Sequence, residues 1–398
     1  MTNQEKKIPE LRFPEFDGEW ENSQMGDIVN FYSGLTYSPD DVTNFGTLVL
    51  RSSNIYNNCI VDADNVYVYQ DKVNSKNVSY GDVIVVVRNG SRNLIGKHAL
   101  VTKNMPNTVI GAFMTGIHYE YGSFINALLS TQNFQKEIHK NLGATINQIT
   151  TGVFKKMLFN FPNVNEQQKI GEFFSKLDRQ IELEEQKLAK LEEQKKGYMQ
   201  KIFSQELRFK DENGNEYPEW ENQTIENLLK ERNERSSEGD MLSVTINSGI
   251  IKFNELDRKD NSSKDKSNYK VVKKNDIAYN SMRMWQGASG KSEYDGIVSP
   301  AYTVVYPLEN VNSVFIAYLF KTYKMIHIFK INSQGLTSDT WNLKYKQLKD
   351  INIKIPILAE QERIAEFFKN IDKLIEKQSN KLKVLNENKK GYLQKMFI

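Results

Sequence analysis

The sequence predicts an α/β chain made of α+β modules. Two mixed strand-and-helix domains are joined by two long antiparallel coiled-coil helices with pseudo-two-fold symmetry. Three observations predict it. Residues 162–203 and 356–397 repeat one another at a constant offset of 194. Each repeat carries an apolar heptad seam, interrupted at the same two places. The segments between the repeats diverge, yet both hold β-branched and aromatic runs of strand length beside shorter helical stretches.

In the repeated frame, Glu166-Gln167 matches Glu360-Gln361, Glu172-Phe173-Phe174 matches Glu366-Phe367-Phe368, and Asp178 matches Asp372. The run Lys195-Lys196-Gly197-Tyr198-Met199-Gln200-Lys201-Ile202-Phe203 returns as Lys389-Lys390-Gly391-Tyr392-Leu393-Gln394-Lys395-Met396-Phe397. Steps of four and three from Ile170 reach Phe174, Leu177, Ile181, Glu184, Leu188, Leu191, Lys195, Tyr198 and Ile202. Such spacing keeps one helix face apolar, and the face needs a partner. The other copy is the economical one, offering Ile364, Phe368, Ile371, Ile375, Gln378, Leu382, Leu385, Lys389, Tyr392 and Met396. Each helix would be on the order of 58 Å long. Glu184 and Gln378 either hydrogen-bond and fix the register or stand solvated at a loosened seam; Lys195 and Lys389 are expected to snorkel at the ends.

A second repeat concerns the chain ends. Leu11-Arg12-Phe13 followed by Glu19-Trp20 reappears as Leu207-Arg208-Phe209 followed by Glu219-Trp220. The second copy directly follows the first helix, whereas the first copy stands at the N-terminus. The repeat closes like a ring, so the two termini are expected to lie close together. The expected divisions are a repeated N-terminal segment (1–20), a first insert (21–164), a central coiled-coil helix (165–203), a connector (204–220), a second insert (221–358) and a closing coiled-coil helix (359–398).

At 398 residues the chain has room for two domains with sizeable cores. No apolar run of about 18 residues marks a membrane span. The single Cys59 rules out an internal disulfide, in keeping with an expected cytoplasmic location. Net charge is +3 overall, +1 over 21–164 and +4 over 221–358, so any phosphate-binding face must be a local patch. Catalytic constellations fail one by one. His98, His118, His139 and His327 lack metal-ligand spacing. Gly287-Ala288-Ser289-Gly290-Lys291-Ser292 imitates a phosphate loop, but Trp285 stands where glycine is needed. There is no Pro-Pro for an amino-methyl-transfer motif, and Pro39-Asp40 lacks the acid-x-Lys of a nuclease. No catalytic, metal or cofactor site is expected in this chain.

Within the inserts, strands are expected at Thr47–Leu50, Val83–Val87, Leu242–Ile246 and Tyr302–Tyr306, and helices at Phe124–His139 and Val314–Ile328. Gly81-Asp82 and Asn275-Asp276 precede strands 194 apart, which suggests one fold with different loops. The following loops are candidates for contact with nucleic acid: Arg88, Asn89, Arg92 and Lys97 in the first insert, and Arg283, Trp285, Gln286 and Lys291 in the second. Arginine reads guanine and Asn or Gln reads adenine through paired hydrogen bonds, while lysine suits phosphate. Two further loop sets offer short polar groups: Arg51, Ser52 and Asn54 with Thr245 and Asn247, then Asn147, Gln148 and Thr150 with Thr337, Ser338 and Asn342. Ordinary turns and caps use the same residue types, so both readings stay open.

With the Leu-Arg-Phe-Pro-Glu-Phe-Asp-Gly-Glu-Trp run at 11–20, the twin Glu-Gln…Phe-Phe…Asp helix starts and the twin Lys-Lys-Gly-Tyr-x-Gln-Lys-x-Phe ends, the chain resembles the specificity subunit of type I restriction–modification systems. The resemblance implies a non-catalytic subunit whose two inserts are target recognition domains. Each would read one half of a bipartite, asymmetric site on double-stranded DNA, and the helices would set the spacing. It implies two modification subunits, docked around Tyr198, Gln200, Tyr392 and Gln394 or their neighbours, that use S-adenosylmethionine to methylate adenine. It also implies restriction subunits that use ATP and Mg. The residues alone leave an alternative, a non-catalytic coiled-coil adaptor with two protein-binding heads.

Overall fold

A computed structural model describes residues 7–142, 147–246, 248–256 and 265–398. The chain divides into two compact units, one comprising residues up to 186 with 379–398, the other residues 187–378.

The first unit is built on an antiparallel sheet in the order Asn30–Ser33, Met114–His118, Val83–Val86, His98–Leu100. Side chains alternate across a strand, and here both faces are covered, so every residue of Val83–Val86 is buried. Val83 and Val85 join a core with Phe124, Leu128, Ile170 and Phe174. Ile84 and Val86 join another with Leu50, Val78 and Ile110. A second four-stranded sheet, in the order Thr108–Ile110, Thr47–Leu50, Val66–Val68, Val42–Thr43, supplies that other side.

The second unit repeats the central sheet in the order Leu229–Glu231, Tyr302–Pro307, Ile277–Asn280, Ser289–Lys291. Ile277 and Tyr279 face one core and Ala278 another. The expected strands are all present; the expected helices are each broken in two. Gly122–Leu129 is followed by Gln132–Asn141, and Ser313–Leu319 by Tyr323–Asn332. The cause is a threonine at each break. Thr131 Oγ1 accepts from the Phe134 N–H and Thr322 Oγ1 from the Met325 N–H, so each starts a new helix as its N-cap.

The paired Gly-Asp and Asn-Asp turns have a shared structural cause. Gly81 and Asn275 both adopt positive φ, +88° and +73°, which these two residue types tolerate. The next residue then buries its carboxylate. Asp82 accepts from the Ser79 N–H at 2.9 Å and the Tyr32 hydroxyl at 2.8 Å, with His118 Nδ1 at 2.6 Å. Asp276 accepts from the Lys273 N–H at 2.8 Å and from Arg232 Nε and Nη2 at 2.6 and 2.9 Å. One carboxylate thus ties the turn to the neighbouring chain in each unit. Burial and the Asp82 carboxylate raise the pKa of the Tyr32 hydroxyl.

Helix Val164–Phe203 starts in the first unit, and helix Leu358–Met396 ends there. Their segments pack antiparallel in that unit: Phe173 meets Tyr392 edge-on at 5.2 Å, Lys389 Nζ lies 2.7 Å from Asp178, and Lys381 pairs with Glu184. In the second unit Tyr198 meets Phe367 edge-on at 5.2 Å, and Lys195 Nζ lies 2.6 Å from Asp372. Every seam position except Tyr198 is buried or half-buried. The two lysines correct the expectation of simple snorkelling. Each ends on an aspartate of the opposing helix, and that pairing favours the antiparallel register while adding under about 1 kcal/mol at such partly exposed sites. Gln378 is buried, with 6% of its surface exposed.

The repeated Leu-Arg-Phe elements clamp the helices. Arg12 holds the wholly buried Glu166 through two hydrogen bonds of 2.8 and 2.7 Å, and Arg208 holds Glu360 at 3.2 and 2.7 Å. The Leu11 N–H donates to Lys395 O at 2.9 Å, as the Leu207 N–H donates to Lys201 O at 3.0 Å. Trp20 packs edge-on against Phe397. Residues 11–20 therefore lie against the end of the closing helix, as the ring-like repeat implies. Gly171 permits the close approach of the Gly122–Leu129 helix, since a Cβ there would stand 2.3 Å from Ser123 Oγ and 2.7 Å from Phe124 N. Among the described residues, no helix is long and apolar enough to cross a membrane.

Candidate nucleic-acid interface

In the first unit three loops converge at one end of the central sheet. Asn89 Nδ2 donates to Ser52 Oγ at 3.2 Å, Lys97 Nζ to Ser52 O at 3.0 Å, and Asn147 Nδ2 to Gly90 O at 3.0 Å. Arg88 bridges Gln148 through the backbone. The sequence candidates Ser52, Arg88, Asn89, Arg92, Lys97, Asn147 and Gln148 thus form one surface. Arg88 and Arg92 are exposed and, among the described residues, ion-paired to nothing. Burial lowers the pKa of Lys97, whose ammonium braces the loop 52–54. Thr150 stands beside the cluster, where its Oγ1 caps the short helix Thr151–Lys155 by accepting from the Val153 N–H.

Two candidates in this unit are otherwise engaged. Asn54 is completely buried, and its amide donates to Ala63 O at 2.6 Å and to Asn65 Oδ1 at 2.9 Å. It shapes the loop from within and presents nothing outward, which corrects its place among contact residues. Arg51 turns to Asp64, with Nη2 2.6 Å from Oδ2. A partly exposed pair of this kind breaks at little cost, so Arg51 stays available to a stronger anion. Sequence reasoning missed Phe113, which is 55% exposed and lies under the Arg88 guanidinium at 5.0 Å. The signal was an aromatic residue in a Gly-Ala-Phe turn between two strands.

The second unit assembles the corresponding surface from Ser281–Gly287 and the chain around 333–343. Leu343 N–H donates to Ser281 O at 2.9 Å, as Ile149 N–H donates to Val87 O at 2.8 Å in the first. Trp285 meets Trp341 edge-on at 5.2 Å and donates from Nε1 to Met282 O. Arg283 is exposed, within 3.4 Å of Gln286 Oε1. Thr337 and Ser338 are exposed on the longer loop. Thr245 closes its own hairpin, where Oγ1 accepts from the Ser248 N–H at 3.0 Å. Asn342 pairs its backbone with Gln334, and its Oδ1 is buried without a hydrogen bond. Asn247 lies outside the described residues.

Lys291 is misplaced by the sequence offset. Asn280 N–H donates to Ala288 O at 2.9 Å, where in the first unit Val86 N–H donates to Lys97 O at 2.8 Å. Ala288 is therefore the counterpart of Lys97, because the second loop is three residues shorter. Lys291 pairs instead with Glu293 at 2.7 Å, opposite Ile277 at the other end of the strand.

Lys321, unmarked in the sequence, holds the second surface together. Its Nζ donates to Ile246 O at 2.6 Å and Gly287 O at 2.5 Å, joining the hairpin end to the Trp285 loop. Burial first, then the nearby Lys195 charge, push its pKa down to about 8. The folded pKa lies below the ordinary lysine value of 10.5, so the folded state binds fewer protons between pH 8 and 10.5. Stability from this group is therefore lowest below pH 8 and rises through that window. Urea midpoints should show wild type gaining on Lys321→Met between pH 7.5 and 10; a constant difference would mean the amine titrates normally.

Among the described residues, no cluster of three or more potential metal ligands occurs. The model of the type I restriction modification DNA specificity domain matches twice, at residues 17–193 and 217–387. Among curated proteins, the putative type I restriction enzyme MjaX specificity subunit of Methanocaldococcus jannaschii is 31% identical over 87 residues, covering 22% of this chain and 20% of that protein. The type I restriction enzyme StySPI specificity subunit of Salmonella potsdam is 23% identical over 197 residues, covering 46% of this chain and 42% of that one. The matched stretches thus span less than half the length of these relatives. The solved type I restriction–modification S subunit from M. genitalium has a TM-score of 0.63 at 15% identity, covering 98% of this chain and 99% of that one, which shows a shared fold. The chain belongs to the family of the type I restriction modification DNA specificity domain and carries that domain in two copies.

Proposed function

We propose that this chain is the DNA-reading subunit of a type I restriction–modification assembly. Each loop surface reads one half of a split, asymmetric site on double-stranded DNA. The observation that carries this is the pairing of one repeated sheet with two unlike contact surfaces: Arg88, Asn89 and Arg92 with Phe113 in one unit, Arg283 and Gln286 with Trp285 in the other. Unlike readers on one repeated scaffold suit an asymmetric target. The domain divisions at 21–164 and 221–358 follow from the same reading. The two helices set the spacing; half-sites one turn apart would be roughly 34 Å between centres.

On this reading the chain performs no chemistry. Two modification subunits dock on the helices, bind S-adenosylmethionine, flip an adenine out and methylate it. Restriction subunits add ATP- and Mg-dependent cleavage. Tyr198 and Tyr392 are each partly spent on Phe367 and Phe173, so Gln200 and Gln394, both exposed, offer the freer contacts. Exposed Leu183, Leu374 and Val384 supply apolar anchors on the same helices.

Affinity of the chain, assembled with its modification subunits, for target duplex should fall steeply between about 50 and 200 mM salt as phosphate contacts are lost. No measurable affinity at low salt would favour the adaptor reading. Arg283→Ala removes an exposed guanidinium suited to guanine, so discrimination at one base of the second half-site should drop by about 5- to 150-fold. The first half should be untouched. Unchanged specificity in competition binding would take Arg283 off the surface that reads bases.

A further inference from the structure

The structure assigns Leu336 a role as an apolar wedge that enters the base stack of DNA at the second half-site, an inference that rests on the DNA-reading function proposed above. Leu336 is 101% exposed, so its side chain contributes no burial to the fold. Its loop is nevertheless tightly built. Gln334 and Asn342 exchange two backbone hydrogen bonds of 3.0 and 2.8 Å. Thr340 N–H donates to Thr337 O at 2.9 Å, and Thr337 N–H to Thr340 Oγ1 at 3.2 Å. Gly335 turns the chain at φ +145°, where any Cβ would stand 2.6 Å from Thr340 O. A braced turn that lifts a leucine wholly into water presents it to something else.

The surroundings indicate what that is. At the base of the loop Trp341 packs on Trp285, and Lys330 Nζ lies over the Trp341 ring at 5.5 Å. Arg283 is exposed beside Trp285, and Thr337 and Ser338 expose hydroxyls next to the leucine. The loop has one acid, Asp339. Cations and hydroxyls suit phosphate and sugar, and an apolar tip among them suits an opened base step. Leucine is one of the side chains proteins use to unstack and kink duplex DNA. A purely apolar protein groove would not require the cations.

The test uses the chain assembled with its modification subunits and a target duplex carrying 2-aminopurine at successive positions of the second half-site. Beyond the adenine flipped by the modification subunits, which stays bright in every variant, wild type should raise fluorescence at one further step. Leu336→Ala should abolish that rise and weaken binding by about 10- to 100-fold. The salt dependence should be unchanged, because no phosphate contact is lost, and Leu336→Met should restore most of the signal. Full exposure of Leu336 keeps the alanine variant folded. Equal affinity and an equal fluorescence profile for Leu336→Ala would overturn the wedge while leaving DNA reading intact. Failure of Leu336→Ala to join the modification subunits would overturn it too, making the leucine a protein anchor. If wild type itself binds no DNA, the proposed function falls and the wedge with it.

Discussion

Asp276→Ala should destabilise the second unit by about 3 kcal/mol, lowering its Tm by about 6–12 °C. The substitution leaves the largely buried Arg232 guanidinium without the carboxylate that takes two of its hydrogen bonds. It also frees the Lys273 N–H that closes the turn. Stranding a buried charge costs about 3–5 kcal/mol; the low end applies because Arg232 keeps a partner in Glu234 at 3.0 Å. Asp82→Ala should cost less, about 1–2 kcal/mol, because it strands the neutral Tyr32 hydroxyl while the half-exposed His118 ring can turn to water. Differential scanning calorimetry of the two variants checks the ordering. Equal shifts would mean that the turn, common to both, carries the effect and the arginine pair adds nothing.

Exchanging residues 21–160 for the corresponding segment of another family member should change one half of the recognised sequence completely and leave the other half intact. The first sheet and its three candidate loops lie within that segment, apart from ties to the helix starts such as Tyr119 to Gln167. The helix starts and the Arg12–Glu166 clamp lie outside it, so the graft meets an unchanged frame. Methylation patterns of the exchanged chain give the readout. Loss of both halves by a folded, assembled chain would show that the units do not read independently.

Sequence made the frame legible because it is repeated. A seam with the same interruptions 194 residues apart has few explanations, and nearly all of its positions are buried or half-buried. The clamp was legible only as unassigned parts. Arg12 and Glu166 are 154 residues apart, and no local pattern pairs them, although both recur in the second copy. The candidate surfaces were legible as loops but not side chain by side chain. Asn54 and Arg283 have the same character on paper; one is sealed inside its loop and the other is exposed. Lys291 failed for a different reason. The constant offset hides a three-residue shortening that later loops make good, so a residue matched by number faces the wrong end of its strand. Lys321 and Leu336 gave no pattern at all, because a buried tie to two carbonyls and a braced exposed tip arise only once distant loops meet.

The central claim, that this chain supplies the address for DNA modification, is tested most directly by sequencing methylated bases genome-wide. Cells making this chain with its modification subunit should be compared with cells lacking only the chain. A split motif with methylated adenine on both strands, present only with the chain, is the expected result. Absence of any chain-dependent motif, with an active methyltransferase and a demonstrated complex, would contradict it.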